Sequence, residues 1–282
     1  MKYHEAINGS DGKLCKEKVA KEHKRMVDSG VFEPVKISKV PDGVKVTDTT
    51  WTTTNKYSVT IRGRVYVRGF KQINGQHYDG TSISAPVTNA MTIGIALTIM
   101  LMQSSITHIV DGKGAFLYGE SKDRETIYIK IPLRCEGFYP SNTVLLLKKM
   151  LYGLKQVAMA FYEKLLVAMQ NIMLKSSMAN PCLNYKQERG RLVIMILWID
   201  NNMILGPEDL DMQVKADLMK QFECDNCGQL EEYVGNKINY VDRDAICFVQ
   251  TVLIQSHSDK FNLKEKCHSP PAVLGTVLKK PA

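Results

Sequence analysis

The spacing of hydrophobic and polar residues changes along the chain, and each spacing predicts a different element. Residues 11–29 combine helical apolar spacing with many lysines, which predicts an amphipathic helix that begins at the N-cap candidate Asp11. Residues 35–76 alternate apolar and polar positions and carry several arginines, which predicts antiparallel strands. The dipeptide Asn74-Gly75 predicts a turn within the same region.

After residue 86, helical patterns alternate with short apolar runs. Apolar residues three or four positions apart predict helices, whereas short runs of apolar residues predict strands. The predicted helices cover residues 88–103, 157–174, 208–222 and 252–261. The predicted strands cover residues 106–110, 127–131 and 144–148, with a further strand near Ile246. Helices mixed with antiparallel strands in this way indicate the α+β fold class.

A hairpin is predicted at residues 192–206, where the polar triplet Asp200-Asn201-Asn202 separates two apolar runs. Asp111 likewise follows a short predicted strand. Two carboxylates at strand ends are what two-metal phosphoryl transfer needs, because its two ions lie roughly 3.5–4 Å apart and share oxygen ligands. Taken alone, however, each acid is explained more simply, Asp200 as a turn residue and Asp111 as a helix cap.

Composition narrows the class of protein. The chain has 282 residues and is 44% hydrophobic, which indicates a globular protein of one large domain or of two or three subdomains. Lysine and arginine exceed aspartate and glutamate by 37 − 29 = 8, which favours a polyanionic partner, although a merely basic soluble protein fits as well. The longest apolar stretch, residues 90–102, is too short to span a bilayer, so no membrane partner is expected.

The seven cysteines are scattered along the chain and indicate free thiols in a reducing compartment. Cys224 and Cys227, together with Cys267 and His268, have the side-chain types of a zinc site. Their spacing departs from that of zinc motifs, so free thiols are the favoured interpretation.

Five short motifs occur in a characteristic order. They are Arg64-Val-Tyr-Val-Arg68-Gly-Phe-Lys-Gln72, Asp111-Gly-Lys-Gly-Ala-Phe-Leu-Tyr-Gly119, Leu151-Tyr-Gly-Leu-Lys-Gln156, Asn180-Pro-Cys-Leu183 and Trp198-Ile-Asp-Asn201. In this order they resemble the motifs R-L-V-A-R-G-F-x-Q, D-V-K-x-A-F-L-x-G, L-Y-G-L-K-Q, D-P-C-L and Y-V-D-D of the reverse transcriptase of copia-type LTR retrotransposons. Residues 231–238 resemble a further motif of that family, L-x-Y-F-L-G-x-x-I.

The resemblance implies a right-hand polymerase of class α+β, with fingers, a palm built on an antiparallel sheet, and a partial thumb. It implies four parts: an N-terminal helical extension (1–34), a fingers-like part (35–105), a palm with the catalytic hairpin (106–207), and the palm end with a partial thumb (208–282). The implied activity is that of an RNA-directed DNA polymerase within a retrotransposon polyprotein.

The resemblance also implies the partners of such a domain. These are an RNA template, a DNA primer, deoxynucleoside triphosphates (dNTPs), and the integrase and RNase H parts of the polyprotein. The implied location is a cytoplasmic retroelement particle. Two alternatives to an active polymerase are a catalytically dead, nucleic-acid-binding remnant of a retroelement and an unrelated α+β protein.

The catalytic residues implied by the resemblance are Asp111, Asp200 and a degenerate Asn201. Asp111, Asp200 and the backbone carbonyl of Gly112 would bind two Mg²⁺ or Mn²⁺ ions, with the two carboxylates within about 5 Å of each other. Asn201 stands where the family has a second hairpin aspartate, and an amide cannot supply its charge. One charge pair at 4 Å is worth about 4 kcal/mol at an effective dielectric near 20, so the loss implies a rate lower by about a hundredfold or more.

The implied nucleotide-binding residues are Phe116, Arg64, Arg68, Lys155 and Gln156. Phe116 would stack beneath the deoxyribose and exclude a 2′-hydroxyl, whereas without the motif it would be read as a core residue. Arg64 or Arg68 would bind triphosphate oxygens through bidentate bonds, whereas the alternative is an exposed basic strand edge. The segment that contains Lys155 and Gln156 would line the nucleotide and template pocket.

Overall fold

The computed structural model describes residues 12–56, 60–81, 83–119, 126–241 and 245–261. Its helices are α1 (Gly12–Asp28), α2 (Ala90–Met102), α3 (Val157–Asn171), α4 (Glu208–Gln221) and α5 (Thr251–Phe261). Its first strands are β1 (Phe32–Lys36), β2 (Thr49–Lys56), β3 (Thr60–Val67), β4 (Ile106–Gly112), β5 (Tyr128–Ile129), β6 (Thr143–Leu147) and β7 (Lys175–Ser176). The remaining strands are β8 (Leu183–Glu188), β9 (Arg191–Trp198), β10 (Asn201–Gly206), β11 (Cys224–Gln229), β12 (Glu232–Tyr233), β13 (Asn236–Tyr240) and β14 (Ile246–Val249).

The chain divides into two compact units, residues 1–229 and residues 230–282. The first unit contains a six-stranded antiparallel sheet of order β11-β4-β10-β9-β8-β7, here called the central sheet. Its β9 strand is buried continuously from Val193 to Leu197, and β10 is buried from Asn202 onward. Both faces of these strands are therefore covered, which explains why their sequences read as unbroken apolar runs.

Helices α3 and α4 cover one face of the central sheet. There Val110 and Ile204 form a core with Leu165, Leu210 and other apolar residues of the two helices. Helix α2 packs against β10 and lies next to β4, since the hydroxyl of Thr107 contacts the sulfur of Met100 at 2.6 Å. Its first turn is capped by the Asn89 side chain, which accepts a hydrogen bond from the Thr92 amide at 2.8 Å.

A second core joins α1, the β2–β3 hairpin and a three-stranded sheet of order β1-β6-β5. Val19 and Met26 of α1 are buried in it, and Trp51 is anchored by an indole hydrogen bond to the Leu133 carbonyl at 2.9 Å. Phe116 is partly buried against this core and against the core of the central sheet, so it lies where the two meet.

Two glycines explain how separate motifs of the sequence meet. A Cβ atom on Gly69 would lie 2.0 Å from the carbonyl oxygen of Gly153, and Gly153 itself has φ +88°. The amide of Val67 also donates to the carbonyl of Tyr152 at 2.7 Å. Only glycine permits this close backbone contact, so the R-G-F and L-Y-G motifs depend on each other for packing.

The second unit, described by itself, contains the three-stranded antiparallel sheet β12-β13-β14 and helix α5. Tyr233 pairs with Asn236, so Val234 and Gly235 form the connecting turn. Both turn residues have positive φ, +51° and +75°, which is the pattern of a type I′ hairpin. Tyr233 and Ile238 supply buried apolar side chains in this unit.

The mixture of helices and antiparallel sheets agrees with the predicted α+β class, and the five predicted helices are present. Two predicted lengths are wrong. The helix predicted to residue 174 ends at Asn171, because Met173 takes a left-handed conformation at φ +65° and the Leu174 amide turns back to the Met169 carbonyl at 2.9 Å. The strand predicted at residues 127–131 is shorter in the structure, where β5 covers Tyr128–Ile129.

Six cysteines lie in the described part of the chain, and none of the six is in a disulfide: Cys15, Cys135, Cys182, Cys224, Cys227 and Cys247. Cys267 and His268, the other members of the zinc alternative, lie outside the described residues. No helix among the described residues combines the length and the apolar character needed to cross a membrane.

Candidate active-site cleft

The β9–β10 hairpin carries Asp200 in a two-residue turn. Trp198 pairs with Asn201, so only Ile199 and Asp200 connect the strands. The prediction that the polar triplet forms the turn is therefore wrong, because Asn201 and the buried Asn202 already belong to β10. Ile199 has φ +56°, which favours glycine at this position of a tight hairpin and costs a β-branched residue about 1–3 kcal/mol.

Asp111 lies on β4 between two neighbouring strands. Its Cα partner is Asn201 on β10 and Asp225 on β11. Residues directly opposite each other in antiparallel strands point to the same face, so the three side chains share one face of the central sheet. The Gly112 amide donates to the Asp200 carbonyl at 2.9 Å, which joins the two aspartate-bearing segments through their backbones.

These segments form one side of a cleft with a volume of about 490 Å³. Five residues predicted from the sequence line it: Arg64, Asp111, Gly112, Asp200 and Asn201. The other lining residues are Glu22, Arg25, Gly63, Lys113, Gly114, Tyr152 and Glu223. The fold thus brings together the two predicted carboxylates, the amide beside them and one predicted arginine.

Phe116 lies behind the cleft rather than among the residues that line it. It belongs to a short 3-10 helix, Ala115–Tyr118, that follows β4. Its ring packs edge-on against the rings of Tyr152 and Phe161, with ring centroids 5.3 Å and 6.3 Å apart, respectively. Tyr152 itself lines the cleft, so an aromatic pair connects the cleft surface to the core.

The other three predicted nucleotide-binding residues lie outside the set that lines the cleft. Arg68 is exposed at the start of a 3-10 turn. The Lys155 ammonium donates to the Tyr78 hydroxyl at 2.8 Å and lies over that ring at 4.6 Å. Gln156 is buried; its amide donates to the His77 carbonyl at 2.9 Å and accepts from Gln72 at 3.1 Å.

Sequence reasoning missed several lining residues. Tyr152 lies within the L-Y-G-L-K-Q motif, which was expected to line a pocket, but the tyrosine itself was not singled out. Glu22 and Arg25 belong to α1, which the sequence predicts only as a lysine-rich amphipathic helix. Nothing in the local pattern of α1 distinguishes these two residues from the lysines around them, because the contact is made across the fold with β3 and with the turn that follows β4.

The charges around Tyr152 come from both sides of the cleft. The central carbon of the Arg64 guanidinium lies 4.9 Å from the centroid of the Tyr152 ring, and the face of the ring attracts this positive charge. Burial raises the pKa of Tyr152, as do Glu22 and Asp200, whereas Arg64 and Arg25 oppose this rise. The phenol therefore stays protonated at neutral pH and can donate a hydrogen bond.

Lys113 follows Gly112 and is held by acids from β11 and its approach. Its ammonium lies 2.6 Å from an Asp225 carboxylate oxygen and 3.8 Å from Glu223. The hydrogen bond to Asp225 raises the pKa of Lys113. Asp225, although opposite Asp111 in register, is thus engaged by this lysine.

The oxygen donors of the cleft suit a hard divalent cation that completes its shell from a substrate. Mg²⁺ is commonly bound by one or two carboxylates together with substrate phosphates, and Asp111 and Asp200 provide two. Burial raises the pKa of the neighbouring Cys224 to about 11, so its thiol is protonated at neutral pH. Within the described ranges, no group of three or more histidine, cysteine, aspartate or glutamate side chains is arranged to hold a metal by itself.

Comparison with known families matches residues 32–271 to the family described as "Reverse transcriptase (RNA-dependent DNA polymerase)". Among curated proteins, the chain is 30% identical over 182 residues to the retrovirus-related Pol polyprotein from transposon TNT 1-94 of Nicotiana tabacum, which covers 64% of this chain. It is 27% identical over 204 residues to the corresponding polyprotein from transposon RE1 of Arabidopsis thaliana, covering 69% of this chain. It is 26% identical over 190 residues to that from transposon RE2 of the same plant, again covering 64%.

The matched segments span 13%, 13% and 12% of the lengths of those three relatives, respectively. The chain therefore corresponds to a small part of each polyprotein. These matches confirm the resemblance predicted from the five sequence motifs.

Proposed function

Because the chain belongs to the reverse transcriptase (RNA-dependent DNA polymerase) family, we propose that its cleft is the active site of a polymerase that extends a DNA primer on an RNA template. The observation that carries this proposal is the meeting of Asp111 and Asp200 on one side of a cleft that also contains Arg64. A cleft lined by two aspartates and an arginine has the charges needed to hold a triphosphate and a divalent cation at once.

The proposed architecture is that of a right hand. The β2–β3 hairpin would belong to the fingers (35–105), and most of the central sheet to the palm (106–207). Residues 208–282 would form the palm end and a partial thumb. The proposed partners are the RNA template, the DNA primer, dNTPs, and the integrase and RNase H parts of a Pol polyprotein. The proposed place of RNA copying is a cytoplasmic retroelement particle.

In this proposal Asp111, Asp200 and the Gly112 carbonyl hold two Mg²⁺ or Mn²⁺ ions. The family generally uses divalent metals, and such ions, when bound, activate the primer hydroxyl and neutralise charge on the phosphates. The protein contributes to the reaction by holding the metal-binding carboxylates in place. Asp111 and Asp200 are fixed by backbone pairing across β4 and the hairpin, so their oxygens need little reorganisation before reaction.

The arginine and aromatic residues would orient the nucleotide. Arg64 can bind triphosphate oxygens in a bidentate manner while it remains over Tyr152. Phe116 supports Tyr152 from behind, which is consistent with a wall that excludes a 2′-hydroxyl. Arg68 and Lys155 would meet the nucleotide or template from the surface, and the buried Gln156 would act by holding the neighbouring loop.

A second candidate function is a catalytically dead remnant that binds nucleic acid. It is favoured by one observation, that Asn201 rather than an acid lies directly opposite Asp111. The cleft then lacks one of the charges that would balance two divalent cations. The remnant would bind primer–template through its basic surface without turning over dNTPs.

Primer extension on an RNA template, in Mg²⁺ and then in Mn²⁺, separates the two candidates. We expect weak extension by the native chain, and loss of that extension in Asp111→Asn and in Asp200→Asn. Asp42→Asn, which removes an exposed acid from a loop, is the matched control and should extend like the native chain. Primer–template binding without extension by any variant, Asn201→Asp included, would support the remnant instead.

A further inference from the structure

A second arginine reaches the cleft from outside the region that matches the family. The family match begins at residue 32, whereas Arg25 lies in the last turn of α1. Arg25 nevertheless lines the same cleft as Arg64, Asp111 and Asp200. The site therefore contains a cation that the family motifs do not account for.

The packing of α1 directs Arg25 toward the cleft. Met26 and Val19 are buried in the second core, and α1 packs directly on β3, the strand that carries Arg64. Arg25 lies at the edge of this buried face, with 40% of its side chain exposed. Its long apolar stem can cover the packed surface while the guanidinium reaches the cleft.

The Arg25 guanidinium rests against the backbone that follows Gly112. A Cβ atom on Gly114 would lie only 2.2 Å from Arg25 Nη2, so the guanidinium occupies the space that a side chain at position 114 would fill. Gly114 has φ +62°, a left-handed conformation that glycine adopts without strain. The Arg25 guanidinium therefore lies against the turn that connects β4 to the 3-10 helix containing Phe116.

The charges of the cleft leave the two arginines as the candidates for binding an anion. Its basic lining residues are Arg25, Arg64 and Lys113. Lys113 is held by Asp225 at 2.6 Å, whereas the nearest oxygen of Glu22 is 3.8 Å from Arg25 Nη1. A guanidinium has five N–H donors, more than one carboxylate at that distance can use. Both arginines oppose the rise in the pKa of Tyr152, which lines the same cleft.

We propose that Arg25 is a second phosphate-binding arginine, which with Arg64 forms a two-arginine site for the triphosphate of the incoming nucleotide. The inference rests on the proposed polymerase function and assigns α1 to the substrate site. Two guanidinium groups can each form paired, charge-assisted bonds to separate phosphate groups, so the site discriminates a triphosphate from a monophosphate. Glu22 holds Arg25 in place until the triphosphate replaces it.

Equilibrium binding tests the proposal without requiring turnover. The affinity of the full chain for dATP, dAMP and deoxyadenosine would be measured in Mg²⁺ by displacement of a fluorescent dATP analogue, with no primer present. Arg25→Gln should weaken dATP binding about tenfold, because roughly one charge-assisted bond is lost. The same variant should change dAMP binding by less than about twofold. Arg25→Lys keeps the charge but not the planar fork, so it should lose about threefold.

The matched control is Lys24→Gln, which removes the same charge from an exposed neighbour on the same helix. It should bind dATP like the native chain. Glu22→Gln removes the carboxylate that competes for Arg25 and should strengthen dATP binding about threefold. This gain gives a positive result that a folding defect cannot imitate.

Two outcomes separate this inference from the proposed function. If Arg64→Gln weakens dATP binding but Arg25→Gln and Glu22→Gln leave it unchanged, the two-arginine site is wrong and the polymerase proposal stands. Equal losses in Arg25→Gln and Lys24→Gln would also overturn it, because they would indicate only the overall charge of α1. If the native chain does not bind dATP more tightly than deoxyadenosine, the proposed function fails and this site with it.

Discussion

The two sides of the cleft are assembled in different ways. The acidic side, formed by Asp111, Asp200 and Asn201, comes from adjacent strands that are joined by main-chain pairing and by the bond from Gly112 to Asp200. The basic side, formed by Arg25 and Arg64 around Tyr152, comes from α1, β3 and a loop. A main-chain bond from Val67 to Tyr152 joins β3 to the loop, whereas α1, which carries Arg25, meets β3 through a packed core.

The acidic side should therefore be sensitive to small changes in structure, and the basic side should tolerate them. Strand register fixes the acidic residues relative to one another, so a change beneath or within the strands is felt at once. Long arginine side chains reach their position by flexible stems, so a change on the basic side mainly alters affinity.

The largest effect is expected beneath the acidic side. Ile204 lies on β10, is fully buried, and belongs to the core under the central sheet. Ile204→Ala should lower the free energy of unfolding by about 3 kcal/mol, because it leaves a cavity in a packed core. Urea unfolding measures this change.

Ile95→Ala is the matched control, since Ile95 on α2 is 54% exposed. The same truncation there should stay within about 0.5 kcal/mol. Similar losses at the two positions would contradict a rigid core beneath the acids.

The next effect concerns the missing charge on the acidic side. Asn201→Asp adds a carboxylate opposite Asp111, and we expect the rate of primer extension in Mg²⁺ to rise about a hundredfold. Asn202→Asp is the contrasting variant. Because Asn202 is buried, that change should destabilise the chain and give no gain in rate. A folded Asn201→Asp protein with an unchanged rate would show that Asn201 does not limit catalysis.

A smaller effect is expected at the hairpin turn. Ile199 has φ +56° and is 41% exposed, so glycine removes strain while little buried surface is lost. Ile199→Gly should raise the free energy of unfolding by about 1 kcal/mol. Ile73→Gly, at an exposed isoleucine without positive φ, should give no such gain. Equal responses of the two variants in urea unfolding would argue against strain in the turn.

The smallest effect concerns the base of the β2–β3 hairpin. Lys130 and Lys71 both bind Asp48 and lower the pKa of its carboxyl from 3.8 to about 2. Because the folded pKa lies below the unfolded one, the stabilisation is present above pH 3.8 and is lost as the pH falls toward about 2. Solvent screening limits it to about 1 kcal/mol.

Asp48→Asn should therefore reduce the fall in stability across that acidic range, as measured by thermal unfolding at several pH values. Asp217→Asn on α4 supplies the control, since Asp217 pairs with one lysine on the surface. If Asp48→Asn leaves the fall in stability unchanged, the two lysine contacts of Asp48 do not cause it.

The contrast between the two sides also explains what the sequence could predict. The acids were found because each follows an apolar run, and because the motifs occur in a recognisable order. The turn was misplaced because Asn201 and Asn202 are residue types common in turns. A two-residue turn is favoured because its backbone twist matches that of the flanking strands, and here it contains the strained Ile199.

Arg25 was missed for a different reason. Local spacing places it on a lysine-rich helix, and only the packing of α1 on β3 and the space above Gly114 bring it to the cleft. For Gln156, the motif predicts a place at the nucleotide pocket, and the structure adds that its side-chain amide bonds to Gln72 and His77 within the fold. Whether it influences the nucleotide stays a prediction.

The most direct test of the account is to locate the metal. Crystals of the chain grown with Mn²⁺ and a non-hydrolysable dATP analogue would be measured for anomalous scattering. We expect an anomalous peak between the carboxylates of Asp111 and Asp200, with the triphosphate extending toward Arg64. An ordered nucleotide with Mn²⁺ bound elsewhere, or with those carboxylates on separate surfaces, would contradict it.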